Sequence, residues 1–294
     1  MKVTQGKEGW LFLDNDTNQM LSQLTGELKF SPRELQRWKL LLEMRHAWMS
    51  QQNISYFYTV IPNKGCVYPE YLPDSVQLSD DRCIYQLIHY LEKNSSCKII
   101  YPLPELLQAK QEMLAYRLTD THWTSFGAYI GYLTLITQIA KYHPVRIVDR
   151  QSVLFEQYDD PMSDLGSKIG VPGGAAVRAK IIDQKAHCIL DNEIVANGHA
   201  VIYENTDKSL PTAVIFRDSF CNLMLDFLAE SFSRVVVVWQ PHIDYAVVEA
   251  EKPDIVINQQ IERFLTRLPD DLNGPSHNEI VQAKLSKADW ADTI

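Results

Sequence analysis

The 294-residue chain is 46% apolar, enough to bury a core as one large domain or two small ones. Acidic residues outnumber basic ones 37 to 28, and the resulting formal charge of −9 repels a phosphate backbone, which excludes nucleic acid as a partner class. No apolar run reaches the roughly 18 residues that a transmembrane segment needs, and the five scattered cysteines contain no C-x-x-C pair, which argues against a disulfide framework and a zinc site.

Gly9 to Leu13 reads as a short strand ahead of polar turn residues. Ser31-Pro32-Arg33-Glu34 carries a capping box with proline at the first helical position, which predicts a helix from Pro32 to about Gln52. Ser55 to Ile61 is β-branched and aromatic and predicts a buried strand that stops at Pro62-Asn63-Lys64-Gly65. Asp80 to Lys93 has helical apolar spacing, Ile99 to Tyr101 is a short strand, and Pro104 to Tyr116 is helical again. After Asp120-Thr121-His122-Trp123, the pair Thr124-Ser125 caps a core helix running to about Tyr142. Glycines at 166, 170, 173 and 174, the turn pair Asn197-Gly198, and β-prone pieces at Val177 to Ile182 and Ala200 to Tyr203 predict a β-rich insertion over about 146–212.

The α/β texture resumes with strands Ala213 to Phe216, Arg234 to Trp239 and Asp254 to Asn258, and with helices at Cys221 to Phe227 and near Tyr245 to Glu251. Alternating helices and strands predict a parallel sheet covered by helices, with residues 1–269 as a single domain. Residues 270–294 read as a polar surface tail that Trp290 would dock. The first residues lack the apolar stretch and cleavage site of a secretory signal, so the expected compartment is the cytoplasm, or the periplasm if a leader has been trimmed.

Ser219 lies in Arg217-Asp218-Ser219-Phe220, on the tight strand-to-helix turn where an open α/β sheet presents reactive groups. Its hydroxyl would point off the sheet's carboxyl edge, and the unpaired N–H groups of the first helical turn can hold an oxyanion. Position alone favours the plainer role of helix N-cap, because capping serines far outnumber nucleophiles. A nucleophilic serine needs an imidazole base oriented by a carboxylate. Among eight histidines, His122 has an acid built in beside it, Asp120, although an isolated D-x-H is more often a turn aspartate beside an ordinary histidine. His242, after the strand ending at Trp239, is the rival base or a substrate contact. Cys221 reads as a small buried hydrophobe. No histidine, cysteine and carboxylate cluster has ligand spacing, so no metal is expected.

Six short motifs run through the chain: Gly9-Trp10-Leu11-Phe12; Ile61-Pro62-Asn63-Lys64; Asp120-Thr121-His122-Trp123; Ser163-Asp164-Leu165-Gly166; Asp218-Ser219-Phe220; and Lys252-Pro253-Asp254-Ile255-Val256 with Glu262-Arg263. In that order they resemble the SGNH-type acetyltransferase family of the alginate O-acetylation proteins AlgX and AlgJ, the D-H-H-W group. The resemblance implies an α/β fold, a flavodoxin-like three-layer sandwich around a central parallel sheet, with the D-x-H-W pair preceding the serine as in a circularly permuted SGNH hydrolase. It implies that Ser219 is acylated, that His122 is its general base, that Asp120 orients His122, and that the acetyl group passes to a glycan or polysaccharide hydroxyl.

Asn63 is then the expected side-chain oxyanion donor, with a turn asparagine the plainer reading. Lys64, Arg217, Trp123 and His242 are the remaining candidate substrate or oxyanion contacts, Arg217 because it stands where typical SGNH hydrolases have glycine. The expected partners are a glycan acceptor and a membrane-bound protein that hands over the acyl group. No glycine-rich phosphate cradle is present, so no cofactor is implied. Two other readings stay open: an acetylesterase with the same triad and water as acceptor, and a glycan-binding relative without chemistry, served by Trp123, Tyr158 and Trp239.

Overall fold

A computed structural model describes residues 2–291, with side-chain surroundings through residue 286. In chain order the strands are β1 (Val3–Gln5), β2 (Leu11–Leu13), β3 (Ser55–Ile61), β4 (Ile99–Ile100), β5 (Val153–Asp160), β6 (Gly174–Ile181), β7 (Ala186–Asp191), β8 (Ala200–Asn205), β9 (Thr212–Arg217), β10 (Arg234–Trp239) and β11 (Ile255–Ile261). The helices are α1 (Met20–Leu24), α2 (Pro32–Gln51), α3 (Lys64–Val67), α4 (Cys83–Asn94), α5 (Leu103–Ala109), α6 (Ser125–Ile139), α7 (Gly166–Ile169), α8 (Leu225–Glu230), α9 (Tyr245–Glu251) and α10 (His277–Ala291).

Among the described residues the central sheet has seven strands in the order β4-β3-β11-β9-β10-β8-β7. The first five run parallel, and β8 and β7 add antiparallel at one edge. Strands buried on both faces need apolar residues at successive positions, which is why β9 and β10 read as near-continuous hydrophobic runs. Ala213 and Ile215 of β9 pack into one core with Tyr129 and Leu135 of α6 and Phe227 of α8. Val214 and Phe216 pack into the other, with Trp38 and Leu42 of α2 and Leu87 of α4. The result is a three-layer α/β sandwich, and each such large side chain contributes about 1.5–3 kcal/mol by leaving water. All five parallel strands present their carboxyl ends along one edge, where open α/β sheets hold ligands.

The capping box expected at Ser31 is present: Ser31 Oγ accepts from the Glu34 N–H, and Glu34 Oε2 accepts from the Ser31 N–H at 2.8 Å. Other boundaries move for tertiary reasons. The helix expected over 104–116 ends at Ala109, because Tyr116 is drawn into a bridge with Trp123 and its hydroxyl donates to the Pro62 carbonyl. β11 runs three residues past the expected Asn258, since Asn258, Gln259 and Gln260 are all buried. Asn258 donates to the Phe216 carbonyl and accepts from Arg45, so polar residues that look like a strand's end continue it.

The β-prone stretch over 146–212 divides. β5 and β6 form a separate antiparallel pair, whereas β7 and β8 join the central sheet. The polar C-terminal stretch contains α10, which opens with a Ser276–Glu279 capping box. The surroundings of Trp290 lie outside the described residues. No described helix is long and apolar enough to cross a membrane.

Candidate active site

β9 delivers Arg217 to the carboxyl edge of the sheet, and the chain turns there at Asp218 into a 3-10 helix, Ser219–Met224. The sequence reads as an α-helix from Cys221, but the first turn is tighter. The Asp218 carboxylate accepts the Phe220 N–H at 2.9 Å and the Cys221 N–H bonds the Asp218 carbonyl, so i→i+3 geometry is imposed at the start and α8 begins only at Leu225. Asp218, not Ser219, is therefore the N-cap. It also accepts from the Ile261 N–H and from Gln259 Nε2, which ties the turn to β11. Ser219 is left half-buried with its hydroxyl free for other work, and its N–H, first in the helix, has no intrahelical acceptor.

His122 reaches that hydroxyl from the loop ahead of α6. Its Nε2 is 2.8 Å from Ser219 Oγ, and its Nδ1 is 2.7 Å from Asp120 Oδ1. Taken together, the two contacts assign the tautomer: Nδ1–H donates to the carboxylate, and Nε2 is free to accept the serine proton. Asp120 Oδ1 also accepts the His122 N–H at 2.8 Å, and Oδ2 accepts the Asp164 N–H at 2.9 Å. Burial works to raise the Asp120 pKa, but the hydrogen bond and charge of His122, with the backbone N–H groups of His122 and Asp164, hold it well below the usual carboxylate range.

Asp164 is a second acid that sequence reasoning quoted in a motif without giving it a role. Its Oδ2 lies 3.7 Å from His122 Nδ1, its Oδ1 accepts the Thr121 N–H at 2.7 Å, and the Thr121 hydroxyl donates to it. Asp120, His122 and Asp164 offer donor atoms within 4.8 Å of one another, the spacing of a metal cluster. Those same atoms are bonded to each other or to Thr121 and to backbone N–H groups, so an ion would have to break the network that orients His122.

The other expected contacts fall to different tasks. Lys64 does not face substrate: it is 5% exposed, and its Nζ donates to the carbonyls of Arg117 (3.1 Å), Leu118 (3.1 Å) and Asp120 (2.7 Å). It fixes the loop that carries Asp120. Burial pulls its pKa down to about 7 against the opposing fields of Asp120 and Asp164. Trp123 is fully buried and donates from Nε1 to the Phe220 carbonyl at 2.9 Å, bracing the turn that carries Ser219. The indole fits there because Gly131 has no Cβ, which would stand 2.7 Å from its ring.

Arg217 is not a free anion contact either. It stacks on Trp239, with its guanidinium carbon 4.3 Å from the ring centroid, and donates to Asn222 Oδ1 (2.7 Å), His199 Nδ1 (2.7 Å) and the Asp218 carbonyl (3.2 Å). His242 is no rival base, since its Nε2 is 2.7 Å from the Pro275 carbonyl and must donate there. Asn63 is buried at the end of β3, its N–H bonded to Glu262 Oε2, and its Nδ2 has no acceptor among the described residues.

The comparisons with known proteins agree with the fold. Residues 3–180 match the family described as SGNH hydrolase-like domain, acetyltransferase AlgX, and the chain belongs to that family. The match takes in Asp120, His122 and Asp164 and stops before Ser219. The "Probable alginate O-acetylase AlgJ" of Pseudomonas syringae pv. tomato is 28% identical over 143 residues, which are 49% of this chain and 34% of that protein. The matched region thus spans about a third of the length of that curated relative. Among solved structures, Bacillus cereus PatB1 superposes with a TM-score of 0.68 over 92% of this chain and 99% of that one, at 14% identity. The O-acetyltransferase domain of Pseudomonas putida AlgJ gives 0.60 over 97% and 99%, at 18% identity. At these identities the likeness speaks for the fold, SGNH hydrolase-like, and for nothing finer.

Proposed function

We propose that this chain is an O-acetyltransferase that moves an acetyl group to a polysaccharide hydroxyl through an acetyl-Ser219 intermediate. The observation that carries the reading is the unbroken relay from Asp120 through His122 to Ser219, with contacts of 2.7 and 2.8 Å. Ser219 Oγ attacks the carbonyl carbon of an acetyl ester or thioester while its proton passes to His122 Nε2. The Ser219 N–H faces the tetrahedral oxyanion, and Asn63, whose amide lacks an acceptor, is the proposed second donor. His122 returns the proton to the leaving group. An acceptor hydroxyl then attacks the acetyl-serine, gives its proton to His122, and leaves as the acetyl ester when the Ser219 bond breaks and the serine recovers its proton.

The name of the curated relatives supplies the acceptor class, a polysaccharide such as alginate, and a membrane-bound protein is the proposed source of the acetyl group. Hydrolysis is the competing outcome, because the His122 side chain is 28% exposed and Ser219 only half-buried, so water reaches the acyl group unless acceptor excludes it. The solved PatB1 carries a sulfonyl adduct. A sulfonyl fluoride should therefore modify this protein once, at Ser219, and lose that reaction in His122→Ala. Modification elsewhere, or at equal rate without His122, would remove the nucleophile assignment.

A further inference from the structure

A second carboxylate–imidazole pair ends on the strand that leads to Ser219. Asp191 closes β7, His199 stands just ahead of β8, and Arg217 closes β9 two residues before Ser219. Arg217 Nη2 lies 2.7 Å from His199 Nδ1, and His199 Nε2 lies 2.9 Å from Asp191 Oδ1. A guanidinium can only donate, so His199 Nδ1 must accept, and the ring proton sits on Nε2 facing the carboxylate. The ring is therefore neutral in this arrangement. Arg217 Nη1 in turn donates to the Asp218 carbonyl at 3.2 Å and to Asn222 Oδ1 at 2.7 Å, so the chain from Asp191 reaches the turn on which Ser219 sits.

Arg217 depends on that imidazole. It is buried, its Nε has no acceptor among the described residues, and of those residues only His199 accepts from Nη2. The His199 side chain is 19% exposed, so a proton from water can reach it. A second ring proton, at Nδ1, removes the acceptor and sets two cationic donors 2.7 Å apart. Arg217 is then held by Nη1 and its Trp239 stack alone. The groups around the ring favour the switch. Asp191 is ionised, its pKa held down first by the Glu193 N–H and then by His199 and Arg217, and its charge stabilises imidazolium. Asp218, Tyr203 of β8 and Cys221 act on the guanidinium. From β10 the Trp239 N–H donates to the His199 carbonyl, while α10 brings Ile280 against Gly198 and Lys284 to the Val195 carbonyl.

We propose that Asp191 and His199 are positioning residues for Ser219, acting through Arg217, and that protonating His199 loosens the nucleophile turn and lowers activity at acid pH independently of His122. The proposal rests on the reading of Ser219 as the nucleophile. No bond to substrate is made or broken in the switch: one proton from solvent adds to Nδ1, and the guanidinium hydrogen bond there is lost.

The test compares kcat/KM for para-nitrophenyl acetate from about pH 5 to 8 in wild type, His199→Asn, His199→Leu and Asp191→Asn. Asparagine can place an acceptor oxygen where Nδ1 stands and does not titrate, whereas leucine offers no acceptor. His199→Leu should lose about tenfold at neutral pH, the scale of one hydrogen bond to a charged group, and His199→Asn should recover most of that loss. The ratio of wild type to His199→Asn should fall about tenfold towards acid pH, a comparison in which the His122 titration common to both cancels. Asp191→Asn still accepts from Nε2–H but lacks the charge that favours imidazolium, so in it the fall should move to lower pH. A ratio that stays flat, an Asp191→Asn fall that moves to higher pH, or equal losses in His199→Asn and His199→Leu would overturn the proposal. An NMR readout needs no turnover: part of the pH-dependent shift of the Ser219 amide should follow the His199 ring in wild type and vanish in His199→Asn. That coupling in a protein without ester turnover would leave the positioning chain standing and remove the nucleophile reading alone; turnover without the coupling would remove the positioning chain alone.

Discussion

His122 Nε2 and Ser219 Oγ stand 2.8 Å apart although 97 positions separate them in the chain. Each is placed by its own device: Asp218 tightens the turn under Ser219, and Asp120 with Lys64 fixes the loop under His122. Trp123 joins the two devices, since it follows His122 and donates to the carbonyl of the residue after Ser219.

Asp120→Asn should reduce turnover by about a hundredfold to ten-thousandfold, because an amide can accept from Nδ1–H only in one orientation and cannot stabilise imidazolium. Steady-state kinetics with an acetyl ester would show kcat falling with KM little changed. The same carboxylate affects acid stability. Its folded pKa is depressed, so it stabilises the fold above the usual aspartate range and that contribution is lost as pH falls through it. Asp120→Asn should flatten the acid limb of a stability-against-pH curve measured by urea unfolding.

Asp164→Asn should cost less, about tenfold in kcat. Asp164 lies 3.7 Å from His122 Nδ1 and acts on it through Thr121 and the loop. If the Asp164 variant proves as damaged as the Asp120 variant, the assignment of Asp120 as the orienting acid is wrong.

Lys64 predicts a loop that loosens with rising pH. As an ammonium it has three donors for three carbonyls; once it loses its proton near pH 7 it has two donors and a lone pair facing oxygen. Amide exchange protection at Arg117 and His122, corrected for the intrinsic rate, should fall above about pH 7, and Lys64→Met should show the loosened state at every pH. Global stability responds in the opposite sense. Between about 7 and the usual lysine value of 10.5 the unfolded chain holds a proton that the folded chain has released, so this group alone makes stability rise with pH.

Glu262→Gln should destabilise the fold by about 3–5 kcal/mol, the cost of leaving a buried guanidinium unpaired. Glu262 and Arg82 side chains are each 2% exposed, and Glu262 Oε2 also receives Tyr101 OH, Cys66 Sγ and the Asn63 N–H. Urea unfolding of the variant measures the loss directly; a change within 1 kcal/mol would mean that Arg82 finds another acceptor.

Much of this arrangement is legible in the sequence because local chemistry and tertiary structure agree there. Ser31 to Glu34 caps α2 with residues three positions apart, and Ala213 to Phe216 is apolar because both faces of β9 are covered. Asp120 and His122 are two residues apart, so their pairing can also be read. The roles of Lys64, Arg217 and His242 cannot, because a cation or imidazole near a sheet edge looks the same whether it meets substrate or a group of the protein distant in sequence, here the Asp120 carbonyl for Lys64, the His199 ring for Arg217 and the Pro275 carbonyl for His242. Asp164 stays hidden for the same reason: 44 positions separate it from the Asp120 carboxylate that it caps with its N–H.

The most direct measurement is intact-protein mass spectrometry during turnover of para-nitrophenyl acetate by wild type, Ser219→Ala and His122→Ala. One acetyl adduct on wild-type Ser219, with turnover lower by about a thousandfold or more in both variants, is the predicted result. Acetyl-ester turnover that persists in Ser219→Ala would contradict the account.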